Sequence, residues 1–179
     1  MVTTAVLVPV VVVLLVLVNT ARRDDDVGDG GSGVADVAGT TSARGDLPPV
    51  PVDTPDVTPA ADLACPVLMG QLPLELAGES SRLVQSDSPF AYAWGDPPVV
   101  LVCGVDPPAG YVVGVQGIVI NGVEWFVDTT DPETVVWTTV DRTVPVQMRV
   151  PVSTDSALVT AASTIIATAL PYTAPTPSG

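Results

Sequence analysis

The chain has no histidine and no lysine, and its only basic side chains are six arginines. Lacking histidine, it has neither the commonest general base nor the commonest transition-metal ligand. Two cysteines, Cys65 and Cys103, cannot close a tetrahedral zinc site by themselves. Neither has an imidazole to activate it as a thiolate nucleophile. Aromatic residues make up 4% of the chain, so each large ring counts as a core anchor. The net charge of −14 repels phosphate backbones and argues against nucleic acid as a partner. No Walker-type phosphate loop, Gly-x-Ser-x-Gly elbow or zinc motif is present. No cofactor and no metal are expected.

What is present begins with an apolar segment. Met1 to Val18 has no charged side chain, and Ala5 to Val18 is an apolar run of 14 residues containing Pro9. As a helix, Met1 to Val18 would span roughly 27 Å, enough for a thin bilayer. Residues 1–21 therefore read as a transmembrane anchor, with a cleaved signal segment as the alternative. Residues 22–60 hold eight Asp, six Gly and five Pro. That composition cannot bury enough surface to offset chain entropy, and it reads as a disordered acidic linker. Arg22 and Arg23, placed directly after the apolar run, favour a cytoplasmic position for the remainder of the chain. Asp24, Asp25 and Asp26, which follow at once, argue the other way, and the cysteine pair suits an oxidising compartment. The expected location is the cell membrane, single-pass, with the folded part outside the cytoplasm; secretion after cleavage is the alternative.

Residues 61–170 read as the folded domain and 171–179 as a disordered tail. Asp62 is a residue type that caps helices, and Leu63, Val67, Leu68, Leu72 and Leu76 recur near helical spacing. Gly70 and Pro73 weaken the middle of that helix, and Gly78 stops it. Arg82 to Gln85 is a short strand. Val99 to Cys103 is a continuous apolar run of the kind found in a central strand covered on both faces. Asn121-Gly122 between β-formers predicts a two-residue type I′ hairpin, with Ile118, Ile120, Val123 and Trp125 on one core face. Val135–Val140 and Thr143–Val150 read as a second hairpin. Pro145 lacks a donor, so that second strand is expected at an edge or with a bulge. A last helix runs from about Thr154 to Ala169, with Leu158, Ala161, Ala162, Ile165 and Ala169 inward. The sum is an α+β two-layer sandwich: an antiparallel meander sheet of about five strands, with N- and C-terminal helices on one face.

Cys65 near the start of the first helix and Cys103 at the end of the central strand suit a disulfide. The bridge would close a loop of 38 residues; two free buried thiols are the alternative.

Trp94-Gly95-Asp96-Pro97-Pro98-Val99-Val100-Leu101-Val102-Cys103-Gly104-Val105, followed by Asn121-Gly122-Val123-Glu124-Trp125, resembles the domain-of-unknown-function 3515 family of actinobacteria. The Cys65 segment and the approach from Ser88 to Trp94 match it too. The resemblance implies an uncharacterised membrane-anchored or secreted protein of the cell envelope. Val102 stands where members commonly carry a basic residue.

Trp94, Asp96, Trp125 and Arg142 are the candidate ligand or partner patch: two rings, an acid and a cation near strand ends. Against that reading, both tryptophans can be core plugs, Asp96 can cap the turn before Pro97, and Arg142 can be a solvated turn residue. The expected function is a non-catalytic binding or scaffold module of the cell envelope, whose partners are the membrane and an envelope protein or cell-wall component. The alternative is a carboxylate-dependent hydrolase of wall material, for which Asp96, Glu124, Asp128 and Glu133 would have to converge. A calcium site from Asp128, Asp131 and Glu133 lacks EF-hand spacing.

Overall fold

The computed structural model of the protein describes residues 45–177. The expected anchor, the first part of the expected linker and the last two residues lie outside them. Among the described residues no helix is long and apolar enough to cross a membrane.

Helix α1 (Pro59–Met69) starts earlier than Asp62. Thr58 is its cap, accepting a hydrogen bond from the Ala61 amide at 3.1 Å, and Pro59 supplies a preset first turn. The earlier start changes which side faces inward. Ala61, Cys65 and Leu68 are buried, whereas Leu63 is 80% exposed and Val67 is 49% exposed. The helix ends at Gly70, and the segment expected to continue it forms strand β2 (Glu75–Leu76) instead.

β3 (Glu79–Arg82), β5 (Ala91–Trp94), β6 (Val99–Cys103), β7 (Ile118–Ile120), β8 (Val123–Asp128), β9 (Thr134–Thr139) and β10 (Val146–Pro151) complete an eight-stranded antiparallel sheet with β2. Its order is β2-β3-β5-β6-β10-β9-β8-β7. The sheet therefore has eight strands rather than about five, and it is not a single meander. Two runs of sequential hairpins meet where β6 pairs β10. Residues 104–117 carry the chain from the middle of the sheet to its far edge. That path begins at Gly104, whose φ is +91° and where an added Cβ would lie 2.8 Å from the Ala61 side chain.

The β7–β8 hairpin has the expected register, Ile118 against Trp125 and Ile120 against Val123. Asn121 and Gly122 both have positive φ, as a type I′ turn requires. Val123 and Trp125 are fully buried, but Ile118 is 51% exposed. β7 is the sheet edge, which leaves Ile118 at the margin of the core. The second hairpin is looser than expected: Val140–Pro145 forms a loop, and β10 begins after Pro145. A donorless residue outside the ladder imposes no edge position, and β10 lies mid-sheet.

Helix α2 (Ala157–Ala169) packs with α1 against one face of the sheet. Its inward face centres on Leu158, Val159, Ala162, Ser163 and Ile166, one step round from the expected stripe. Ser163 is satisfied on this inward face: its hydroxyl accepts from Trp125 Nε1 at 3.0 Å and donates to the Val159 carbonyl at 2.7 Å. Asn121 at the hairpin tip also donates to the Thr160 carbonyl at 2.9 Å.

β6 is buried along its whole length. Val99, Leu101 and Cys103 face the helices, while Val100 and Val102 face the other way. The second face is covered by Val50 and Val52, from the stretch read as linker. β1 (Val50–Pro51) pairs in parallel with β4 (Val84–Gln85). Arg82 holds this segment down, donating to the Pro48 carbonyl at 2.9 Å and the Gly95 carbonyl at 2.9 Å. Folding thus reaches back into an acidic, proline-rich stretch because its valines cover apolar strand surface. Cys65 and Cys103 form a disulfide with Cα atoms 5.8 Å apart, joining α1 to the end of β6.

Candidate functional site

The four residues of the expected patch are not brought together. Trp94 lies in β5 and Trp125 in β8, with three strands between them, roughly 19 Å at ordinary strand spacing. Both rings are fully buried. Trp94 Nε1 donates to the Pro73 carbonyl at 3.0 Å, and Trp125 Nε1 to the Ser163 hydroxyl. Each indole N–H is thereby satisfied inside the core, so neither ring offers a surface to a ligand. Asp96 is exposed at the β5–β6 turn, 3.8 Å from Arg82. Only Arg142 lies at a concave surface.

The carboxylates proposed for hydrolysis do not all converge: Asp96, Glu124 and the β8–β9 turn with Asp128 and Glu133 are separate places in the fold. Asp96 belongs to the other half of the sheet from Glu124. Glu124 and Asp128 stand four residues apart on β8, roughly 13 Å along the strand. A carboxylate pair that cleaves glycosidic bonds sits roughly 5–9.5 Å apart. Glu124 accepts from the Tyr111 hydroxyl at 3.2 Å. The carboxylates of Asp128 and Asp131 accept the amides of Thr130 at 2.9 Å and Glu133 at 2.8 Å, which makes them loop caps. Among the described residues no group of three His, Cys, Asp or Glu could hold a metal.

The concave surface is a cleft of about 710 Å³ at the loop end of β9 and β10. Pro107 and Pro108 begin one wall, where the path out of β6 turns away from the sheet; Tyr111 extends it. Val140, Arg142 and Pro145 supply the floor from the β9–β10 loop. The third side is the chain after α2. Pro171 ends that helix, and the following residues run back along the loop. The Thr143 amide donates to the Pro171 carbonyl at 3.2 Å and the Thr173 amide to the Asp141 carbonyl at 2.9 Å. Thr173 to Pro177 then borders the cleft. Tyr172, in the stretch read as a disordered tail, is thus bridged to Arg142.

Arg142 is not a solvated turn residue; it is 5% exposed. Nη1 donates to the Asp141 backbone carbonyl at 2.9 Å and lies 3.2 Å from the Asp141 carboxylate. Nη2 donates to the Gly122 carbonyl at 2.6 Å. Its Nε–H and Asp141 Oδ1 are buried without hydrogen-bond partners. Burying a charged pair is costly, and unpaired donor and acceptor positions add to the cost. Among the described residues lining the cleft, Arg142 is the only charged one, and no acid lines it.

Burial pushes the Asp141 carboxyl above its ordinary value of 3.8; a Glu124 backbone hydrogen bond and the Arg142 charge pull the other way with less effect. A carboxyl raised on folding holds its proton more tightly in the folded chain than in the unfolded one. Its stabilising contribution is complete below pH 3.8 and is lost as pH rises through the folded value. Urea unfolding measured upward from about pH 4 will show this decline in the native protein and lack it in Asp141→Asn. Identical pH profiles would refute the assignment. Burial and the neighbouring Glu124 carboxylate likewise hold the Tyr111 hydroxyl protonated above its ordinary range.

Sequence reasoning missed Asp141, Tyr111 and the prolines of the cleft. The one available signal was an Asp-Arg dipeptide between two apolar strands in a chain with only six cations. Comparison with curated proteins and with solved structures finds no match. The family model described as "Protein of unknown function (DUF3515)" matches residues 6–175, a span that includes the Trp94–Val105 and Asn121–Trp125 segments, and the chain therefore belongs to the DUF3515 family.

Proposed function

We propose that the protein is a non-catalytic binding module of the cell envelope, tethered by its N-terminal apolar segment with the folded domain outside the cytoplasm. The observation that carries the binding reading is the cleft: about 710 Å³, proline- and tyrosine-walled, with one buried arginine at its floor. That volume is in the ordinary range for small-ligand sites, roughly 300–1,000 Å³, as is the pattern of apolar walls with few polar groups. Asp96, Glu124 and the β8–β9 turn that carries Asp128 and Glu133 lie apart, none of these four carboxylates lines the cleft, and the hydrolase reading is not carried forward. The compartment is supported by the disulfide, which suits an oxidising environment, and by the uncharged stretch from Met1 to Val18.

Amide chemical shifts of the full chain, titrated with soluble muropeptides and short proline-containing peptides, test the reading. Shifts are expected at Tyr111, Val140, Thr143 and Thr173. Shifts absent from all four, or turnover of a muropeptide, would overturn it.

A further inference from the structure

We infer that the cleft takes a carboxylate carried on an apolar body, and that Arg142 is the group that receives it; this rests on the proposed role as a binding module.

The argument starts from charge. The chain has 20 acidic and six basic side chains, so a random concavity on it would be bordered by carboxylates. This one has no acid among the described residues that line it, and its single charge is Arg142. The Asp141 carboxylate pairs with it at 3.2 Å, so the cleft is close to neutral where most of the molecule is acidic. Anions are repelled by most of the surface and tolerated at this one floor.

The guanidinium has donors to spare. It carries five N–H groups in a planar fork. The observed bonds go from Nη1 to Asp141 and from Nη2 to the Gly122 carbonyl. Nε–H has no partner. It lies on the edge that Nε shares with Nη2, the edge arginine offers to a carboxylate in a bidentate pair. A buried donor without an acceptor costs stability in the empty protein, and an anion arriving there removes that cost. The Asp141 carboxylate lies at Nη1, so it leaves the Nε side unoccupied.

The walls specify the rest of the ligand. Pro107, Pro108 and Pro145 present rigid apolar rings without donors, and Tyr111 adds an aromatic face. They cover aliphatic surface well; Thr139, Thr143, Thr173 and Thr176, which also line the cleft, add hydroxyls but no second charge. Nε is buried, so a ligand reaches it only when a wall of the cleft gives way, and the Thr173–Pro177 side is a lightly held one. Beyond the Thr173 amide, the only hydrogen bond of that strap is Thr176 Oγ1 to its own Ala174 carbonyl, among the described residues. The strap can therefore move without breaking the sheet. A carboxylate on an apolar body has two sources, the C-terminus of a peptide and a free branched-chain acid.

Calorimetric titration of the full chain with three probes tests the inference: acetyl-Val-Pro-Ala with a free carboxylate, the same peptide amidated, and 4-methylpentanoate. The free-acid peptide is expected to bind at least about tenfold more tightly than the amide, the ratio a charge-assisted hydrogen bond supports. Arg142→Met should abolish that preference. Because a buried arginine is hard to replace without unfolding, Ala109→Trp at an exposed rim position of the cleft provides the second variant; it should block binding while leaving the fold intact. Tight binding of 4-methylpentanoate would assign free acids as the source, and binding of the peptide alone would assign a C-terminus. Equal affinity for acid and amide, or unchanged binding in Ala109→Trp, would overturn the inference. So would no binding by any probe; muropeptide-induced shifts at Tyr111 and Thr143 would then preserve the binding-module reading without this ligand class.

Discussion

Replacing Cys65 and Cys103 together by alanine lowers the unfolding free energy by about 4 kcal/mol. The bridge closes a loop across a sequence separation of 38 residues, and its removal returns that loop's freedom to the unfolded chain. Nothing in the folded state offsets the loss, since both sulfurs already sit in the apolar core. The effect is large against the roughly 5–15 kcal/mol that separates a native domain from its unfolded chain. Urea unfolding of the double variant, and of the native protein under reducing conditions, should show the same displacement of midpoint. A loss below about 1 kcal/mol in both would mean that the unfolded chain is already compact around these positions.

Trp125→Ala costs a similar amount, about 3–5 kcal/mol. Trp125 is fully buried between β8 and α2, and its ring meets Trp137 edge-on with centroids 6.4 Å apart. Truncation leaves a cavity between β8 and α2, which Asn121 also ties to the hairpin tip. Trp125→Phe isolates the polar part. It keeps most of the volume, loses the bond to Ser163, and should cost about 1 kcal/mol from that bond. Calorimetric melting of both variants checks the pair. A Trp125→Ala variant that melts like the native protein would restore the ring to the set of ligand-facing residues.

The elements with strong local chemistry could be read directly from the residues. Val99 to Cys103 announced a strand covered on both faces, and Asn121-Gly122 announced its turn and register. The scarcity of aromatic residues made Trp94 and Trp125 stand out, although as core plugs rather than ligand contacts. Other features depend on partners distant in sequence. Val50 and Val52 sit in a stretch whose average composition is that of a linker, and only the exposed back of β6 gives them a reason to fold. The strand order needed β10 to return beside β6, which no hydrophobic pattern encodes. Glu79-Ser80-Ser81-Arg82 is too polar to register as a strand, yet it pairs between β2 and β5. Charge misled most at the arginines. A cation at a turn is ordinarily solvated, whereas Arg142 is buried against the carbonyl of Gly122, 20 residues away, and Arg82 at the end of β3 reaches the Pro48 carbonyl 34 residues away.

The clamp of Arg82 on Pro48 sets how the domain responds to mechanical load. A pull on the chain upstream of Pro48 does not act first on the helices or the disulfide. It acts on the Arg82 guanidinium and on two backbone bonds, from Val50 N to Leu83 O at 2.8 Å and from Val52 N to Gln85 O at 2.9 Å. They stand ahead of the eight-stranded sheet along the chain, and their release would let out a few residues of extra length. β1 and its arginine thus stand as a mechanical fuse, whose bonds include none of the residues that line the cleft at the loop end of β9 and β10.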